Sequence, residues 1–302
     1  MWSVFSQHLR TVFDFRSLHT DHCLNWQEDE DMEIGAALER LELSAGDPRE
    51  LARFYASSFR FEVALREEGF VCSAPGRELV LLPGQAGQLR RVTFRFHDHT
   101  AFDAHRDALA KRGIEIEREG EARYTVQDPL GHLVTFVAPK VPHGSRPATV
   151  HDARLQHLAL RTQQPATLAE FYVDALGFVV SDRVVDAEGN LTAVFLRTDA
   201  EHHAMAIFRA PMTRFDHFSC EVPGWSDLRD WADHMARVGV ELAWGIGRHG
   251  PGNDTFLMVR DPDGNMAEIS SELEVCQPGR PAGVWPHRPQ TLNQWGVAIM
   301  RS

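Results

Sequence analysis

The sequence predicts an α+β protein of four β-α-β-β-β modules paired into two similar halves. Two internal repeats and one recurring order of elements carry that prediction. Arg40-Leu41-Glu42-Leu43, Leu51-Ala52-Arg53-Phe54-Tyr55 and Phe59-Arg60-Phe61 align without gaps on His157-Leu158-Ala159-Leu160, Leu168-Ala169-Glu170-Phe171-Tyr172 and Leu176-Gly177-Phe178, at a constant offset of 117. The stretch Asp128-Pro129-Leu130-Gly131-His132 returns as Asp261-Pro262-Asp263-Gly264-Asn265, at an offset of 133. Self-similarity at fixed spacing marks a duplicated unit. Within a unit, a strand precedes a helix, read from Leu168, Phe171, Tyr172, Ala175 and Leu176 at helical spacing, with Gly177 as its stop signal. Short strands separated by turns such as Glu188-Gly189-Asn190 follow.

The modules fall near residues 37–84, 89–138, 153–209 and 214–272. The expected organisation is an N-terminal extension (1–35), an N-terminal domain of two modules (36–140), a linker (141–152), a C-terminal domain of two modules (153–272) and a tail (273–302). The linker lies in the Pro- and Gly-containing region, and Glu28-Asp29-Glu30-Asp31 in the extension reads as a solvated arm.

At 302 residues, with 43% hydrophobic and 25% charged, the chain has the length of about two domains and can bury a sizeable core. No run approaches the eighteen or so apolar residues of a membrane span. The first residues show no basic flank followed by a long apolar segment, so a cytoplasmic location is expected. The formal charge of −12 argues against nucleic acid or an anionic membrane as partner and favours a small ligand. Cys23, Cys72, Cys220 and Cys276 form no CxxC pair, which fits thiols in a reducing compartment.

Three positions break the symmetry between the halves. His157 stands where the first half has Arg40, His217 where it has Arg91, and Glu268 where it has Thr135. Strand alternation turns Leu158 and Leu160 to one face and His157 to the other, and likewise separates Phe218, Cys220 and Val222 from His217 and Ser219. Two imidazoles and one carboxylate on separate strands make a facial set that holds Fe(II) or a similar divalent ion and leaves positions open. Any one of sixteen histidines is more commonly a hydrogen-bonded core residue than a ligand. All three residues, however, fall in one half at matching strand positions.

This four-module layout resembles the type I extradiol ring-cleaving dioxygenases of the vicinal oxygen chelate superfamily, which also includes glyoxalase I and bleomycin-resistance proteins. The resemblance runs over about residues 36–296 and rests on Gln156-His157-Leu158, His202-His203-Ala204-Met205-Ala206, Asp216-His217-Phe218, Gly247-Arg248-His249-Gly250, Asp261-Pro262-Asp263-Gly264-Asn265 and Glu268. It implies that each pair of modules curves into an open, barrel-like mixed sheet with helices outside. It further implies that His157, His217 and Glu268 bind Fe(II), with Mn(II) as the alternative. A small aromatic diol and dioxygen are then the substrates, and the subunits associate as a homo-oligomer. By the same resemblance His203 is the acid/base histidine, His249 lines the substrate pocket, and Trp285-Pro286-His287 with Thr291-Leu292-Asn293-Gln294-Trp295-Gly296 forms a tail closing over the site.

The chain departs from the family pattern at three substrate-facing positions. Met258 replaces a tyrosine ten residues before the ligand glutamate, Trp244 replaces an arginine that some relatives carry, and Ala159 replaces an asparagine. Loss of those donors suggests a differently substituted, more apolar ring. Two other readings of the same scaffold are a metal-dependent isomerase or lyase and a protein that binds its ligand without turnover.

Overall fold

Each module begins with a strand, because its apolar residues alternate, and turns into a helix where they recur every three or four residues. The computed structural model describes residues 33–140 and 152–301, so the acidic arm, Cys23 and most of the linker lie outside the described residues. The first module comprises β1 (Ala36–Ala45), α1 (Pro48–Ser58), β2 (Glu62–Arg66), β3 (Gly69–Ala74) and β4 (Arg77–Pro83). The second comprises β5 (Gln88–Phe96), α2 (His99–Lys111), β6 (Glu117–Arg118), β7 (Arg123–Gln127) and β8 (Leu133–Val137). The third comprises β9 (Arg154–Thr162), α3 (Pro165–Glu170), β10 (Val179–Val185), β11 (Leu191–Arg197) and β12 (Met205–Arg209). The fourth comprises β13 (Arg214–Glu221), α4 (Trp225–Arg237), β14 (Leu242–Arg248), β15 (Thr255–Arg260) and β16 (Met266–Ser271). A tail adds β17 (Gly283–Pro286) and α5 (Pro289–Leu292). Among the described residues, no helix is long and apolar enough to cross a membrane.

The first two modules form one mixed eight-stranded sheet and the last two, with the tail strand, a mixed nine-stranded sheet. The centres of the sheets match. β1 and β5 run antiparallel, each flanked by a parallel partner, β4 and β8. β9 and β13 do the same between β12 and β16. β17 pairs in parallel with β10 and so carries the tail across the edge of the second sheet.

Local signals start and stop the helices. Asp47 accepts bonds from Arg49 N and Glu50 N with Pro48 opening α1, and Asp98 caps α2 through Ala101 N. The helix expected through Leu176 begins as a regular turn, but over Phe171–Ala175 it widens, with Leu176 N bonding Phe171 O five residues back. The widened turn bears Tyr172, whose hydroxyl is held from outside the helix. Gly177 then ends it at φ +76°, a left-handed conformation open to glycine at little cost.

The repeated motifs explain how the halves join. Tyr55 of α1 donates to Asp261 Oδ2 at 2.7 Å, and Tyr172 donates to Asp128 Oδ2 at 3.1 Å. Each tyrosine therefore reaches the Asp-Pro turn of the opposite half, module one to module four and module three to module two. Apolar contacts follow the same pairing. Phe59 meets Phe218 and Trp231 with ring centroids 5.6 and 6.1 Å apart, and Phe94 meets Phe178 at 5.3 Å. His105 Nε2 donates to Leu176 O at 2.8 Å, so its Nδ1 is left to accept from the Tyr124 hydroxyl at 2.6 Å.

Two outcomes follow from these buried contacts. Tyr55→Phe and Tyr172→Phe each remove a donor from a buried carboxylate and should lower unfolding free energy by about 1–3 kcal/mol, measured by urea titration. Burial lowers the His105 pKa to about 4, with Leu176 O opposing and Arg112 adding to the shift. The unfolded histidine titrates near 6.5, so between these values the unfolded chain takes up a proton that the folded one refuses. That contribution is intact above pH 6.5 and is lost as pH falls towards 4, by roughly 3 kcal/mol in all. His105→Gln, which keeps a donor for Leu176 O, should flatten this part of the curve of melting temperature against pH.

Candidate metal centre

Three adjacent strands bring the asymmetric residues together. In the register of the second sheet, His157 of β9 stands opposite Ser219 of β13, and Ser219 opposite Glu268 of β16, while His217 lies across from Ala159. Alternation places His157, His217 and Glu268 on one face. The other face carries Phe218, which packs on Tyr55 of α1 and on Phe59 just after it.

The hydrogen bonds of the two histidines fix their protons. His157 Nδ1 is 2.5 Å from Gln156 Oε1 and His217 Nδ1 is 2.6 Å from Asp216 Oδ1. Amide and carboxylate oxygens only accept, so both Nδ1 atoms carry hydrogen and both Nε2 atoms of the neutral rings are lone pairs. Those Nε2 atoms face each other at 3.2 Å. Burial holds both pKa values below the ordinary histidine range, reinforced at His157 by His217 and opposed at His217 by the Asp216 hydrogen bond. Glu268 Oε1 accepts from Ser219 Oγ at 3.2 Å, whereas Oε2, 3.7 Å from His217 Nε2, is buried without a hydrogen-bond donor.

Two opposed lone pairs and a buried, unsatisfied carboxylate oxygen repel one another unless a cation lies among them. Bonds of about 2.1 Å from one ion would put adjacent ligands about 3 Å apart, close to the observed nitrogen separation. The ligand atoms of His157, His217 and Glu268 all lie within 4.8 Å of one another. This trio can therefore hold a divalent ion.

His203 flanks it, its ring centroid 4.3 Å from that of His157. His203 Nδ1 and His202 Nδ1 are 3.0 Å apart, and His202 Nε2 lies 3.1 Å from Asp182 Oδ2, off the axis of a linear bond. A proton on His202 Nε2 towards the carboxylate makes His202 Nδ1 the acceptor and His203 Nδ1 the donor. Neutral His203 then keeps Nε2 unprotonated. Burial lowers its pKa well below the usual range, and the neighbouring His157 adds to the shift. On the far side, His249 Nδ1 bonds Leu292 O at 2.5 Å while its ring stacks on Phe256, centroids 3.9 Å apart. Burial pulls the His249 pKa down to about 3, against the pull of Leu292 O.

A cavity of about 20 Å³ lies among these groups, lined by His157, His203, His217, His249, Phe195, Ala206, Phe208, Pro251, Met258, Thr291, Leu292 and Arg301. Met258, expected at the substrate, is in this lining and stands opposite Glu268 in the ladder. Ala159 and Trp244, also expected there, are outside that lining but belong to the same apolar cluster as its Phe195, Ala206, Phe208, Met258 and Leu292, and Ala159 is the register partner of His217. The Trp244 indole N–H donates to Val297 O at 2.7 Å, and the cavity-lining Arg301 lies 5.0 Å from the centre of its ring. A larger hollow of about 540 Å³ lies on the amino-terminal half near Phe102 and Tyr124, away from these histidines.

Sequence reasoning passed over several supporting residues. Asp254 is buried with neither carboxylate oxygen hydrogen-bonded, and it forms a second group with His249 and Glu268 within 4.8 Å. Burial raises the pKa of Asp254, and burial together with the Asp254 charge raises that of Glu268. Its signal was available, since Asp254 shares strand parity with Met258. Gln156 and Asp216 were visible as neighbours of the ligands, but their bonds were not.

The amino-terminal half fills the equivalent place differently. Its register sets Arg91 opposite Glu42 and Leu133, and Thr93 opposite Thr135, as His217, Ala159, Met266, Ser219 and Glu268 are set in the other sheet. Arg91 Nη1 donates to Thr135 Oγ1 at 2.8 Å, and Nε lies 3.3 Å from Glu42 Oε2. A guanidinium supplies the positive charge there.

A family model described as the glyoxalase/bleomycin resistance protein/dioxygenase superfamily matches residues 154–269, the third and fourth modules. Metapyrocatechase 2 of Cupriavidus necator is 30% identical over 221 residues, spanning 64% of this chain and 68% of that protein. The chain belongs to this superfamily. Biphenyl-2,3-diol 1,2-dioxygenase 3 of Rhodococcus globerulus is 34% identical over 126 residues, covering 38% of this chain and 62% of that one. Among solved structures, the Mn(II)-bound glyoxalase of Novosphingobium aromaticivorans superposes with a TM-score of 0.74 at 21% identity, over 89% of this chain and 93% of the other. The superfamily fold is thus shared well beyond the matched modules.

His157→Ala, His217→Ala and Glu268→Ala should each abolish retention of a divalent ion through dialysis, read by elemental analysis. Gln156→Leu, which keeps all three ligands but frees a ring, should instead weaken affinity by about tenfold or more.

Proposed function

We propose that this superfamily member is an extradiol dioxygenase that opens a catechol-type aromatic ring with dioxygen at a mononuclear Fe(II) site, Mn(II) being the alternative. One observation carries the reading: two neutral imidazole lone pairs and an unsatisfied carboxylate oxygen converge within 4.8 Å of one another, beside a cavity and a further neutral histidine. The activities named for the metapyrocatechase and biphenyl-2,3-diol dioxygenase relatives support it.

His157, His217 and Glu268 would hold the ion. When bound, it supplies a Lewis-acidic centre with open positions for the two vicinal oxygens of the substrate and for dioxygen. The chain contributes the rest. His203, with Nδ1 engaged by His202, accepts a proton at Nε2 as a ring hydroxyl gives one up and returns it to an oxygen atom as the ring opens. Phe195, Phe208, Met258 and Leu292 form apolar walls that exclude water and pack on the ring. His249, its Nδ1 proton committed to Leu292 O, leaves Nε2 to accept a hydrogen bond from a substrate hydroxyl. Because Met258 cannot hydrogen-bond as a tyrosine would, His203 and His249 carry the polar recognition.

Fe(II)-loaded protein offered a panel of catechols should consume one dioxygen per ring and form a yellow ring-opened product. His203→Gln should keep its iron while turnover falls by about 10²–10⁴-fold. Iron-loaded protein that takes up no oxygen with any catechol would refute the proposal. Conversion of a substrate without oxygen uptake would point to an isomerase or lyase.

A further inference from the structure

The tail reaches the metal centre through one side chain. Arg301 lies beside His217 in the cavity lining, with only 4% of its side chain exposed. Its Nη2 donates to Asp216 Oδ1 at 3.1 Å and its Nε to Asp216 Oδ2 at 3.2 Å, a two-pronged contact. Its Nη1 donates to Ile299 O at 3.0 Å. The guanidinium sits between two rings, 4.7 Å from the centre of Phe208 and 5.0 Å from that of Trp244. The same Asp216 Oδ1 receives the Nδ1 proton of His217, and Oδ2 is also bonded by Arg161.

We infer that Arg301 is a positioning residue for the metal centre: by clamping Asp216 it fixes the ring of His217, and so links the docked tail to the grip on the ion. The inference rests on the reading of His157, His217 and Glu268 as ligands. A fully buried carboxylate with a single cationic partner can swing about that partner. Two arginines from different segments of the chain and a histidine N–H leave it one orientation, and with it one orientation for the imidazole. Arg161 is carried by β9 and stays with the sheet, whereas Arg301 comes from the tail. Three of its five N–H groups are engaged by Asp216 and Ile299, which marks it as acting through its neighbour.

The tail is docked tightly enough for such a role. A Cβ at Gly247 would lie 2.6 Å from Asn293 Oδ1, and one at Gly250 would lie 2.8 Å from Thr291 O. Trp285 Nε1 donates to Asp182 Oδ2 at 2.7 Å, on the side of His202 and His203.

Co(II) tests the inference without turnover. Metal-free protein is loaded with Co(II), its visible absorption band is recorded, and loss of the ion to excess EDTA is timed. The proteins compared are the parent, Arg301→Gln, Arg301→Lys, Asp216→Asn and the Arg301→Gln/Asp216→Asn double variant. Arg301→Gln and Asp216→Asn should each shift the band and speed loss by about 10–100-fold. Arg301→Lys, which keeps the charge but not the two-pronged contact, should fall between Arg301→Gln and the parent. The double variant should lose the ion no faster than the faster single variant, because both substitutions break one chain of contacts. Parent-like loss and an unshifted band in Arg301→Gln would overturn the role of Arg301, as would effects that multiply in the double variant. Should Arg301→Gln fail to fold, Arg301→Lys alone decides, parent-like behaviour again overturning the inference. A parent protein that takes up no Co(II) would instead sink the ligand assignment itself.

Discussion

The carboxy-terminal half is organised around two imidazole nitrogens held lone pair to lone pair at 3.2 Å where water does not reach. That arrangement is unfavourable without a cation, and its neighbours keep it in place. Gln156 and Asp216 each occupy one ring proton, so neither ring can turn its N–H towards the other. Ser219 holds one oxygen of Glu268 and leaves the second directed at the same point. The site is thus pre-set by hydrogen bonds on its outer side, and its inner side is left wanting positive charge.

The duplicated fold makes that pre-setting possible. The strands bearing the ligands are central in their sheet, buttressed behind where Tyr55 of α1 and the following Phe59, both from the opposite half, pack on Phe218 of β13. The cross-half bonds from Tyr55 to Asp261 and from Tyr172 to Asp128 use the same two motifs in each direction. Packing of one half therefore stiffens the strands on which the chemistry of the other depends.

Much of this was legible in the sequence, and the reason is periodicity. Offsets of 117 and 133 exposed the repeat, strand parity put His157, His217 and Glu268 on one face, and the four modules lie within a residue or two of where the pattern set them. Contacts between segments distant in sequence were not legible. Asp216 meets Arg301 across 85 residues, and Asp182 meets Trp285 across 103. No local pattern encodes such pairings. The widened turn at Phe171–Ala175 escaped for another reason, since its apolar spacing fits a regular helix equally well.

Arg91 gives the two halves different dependencies on their surroundings. Its guanidinium is a counter-charge built into the chain, unable to dissociate, to be captured by a chelator or to be exchanged for a competing ion. The counter-charge of the amino-terminal sheet therefore does not depend on an ion from outside, whereas under the ligand assignment proposed for His157, His217 and Glu268 that of the carboxy-terminal sheet does.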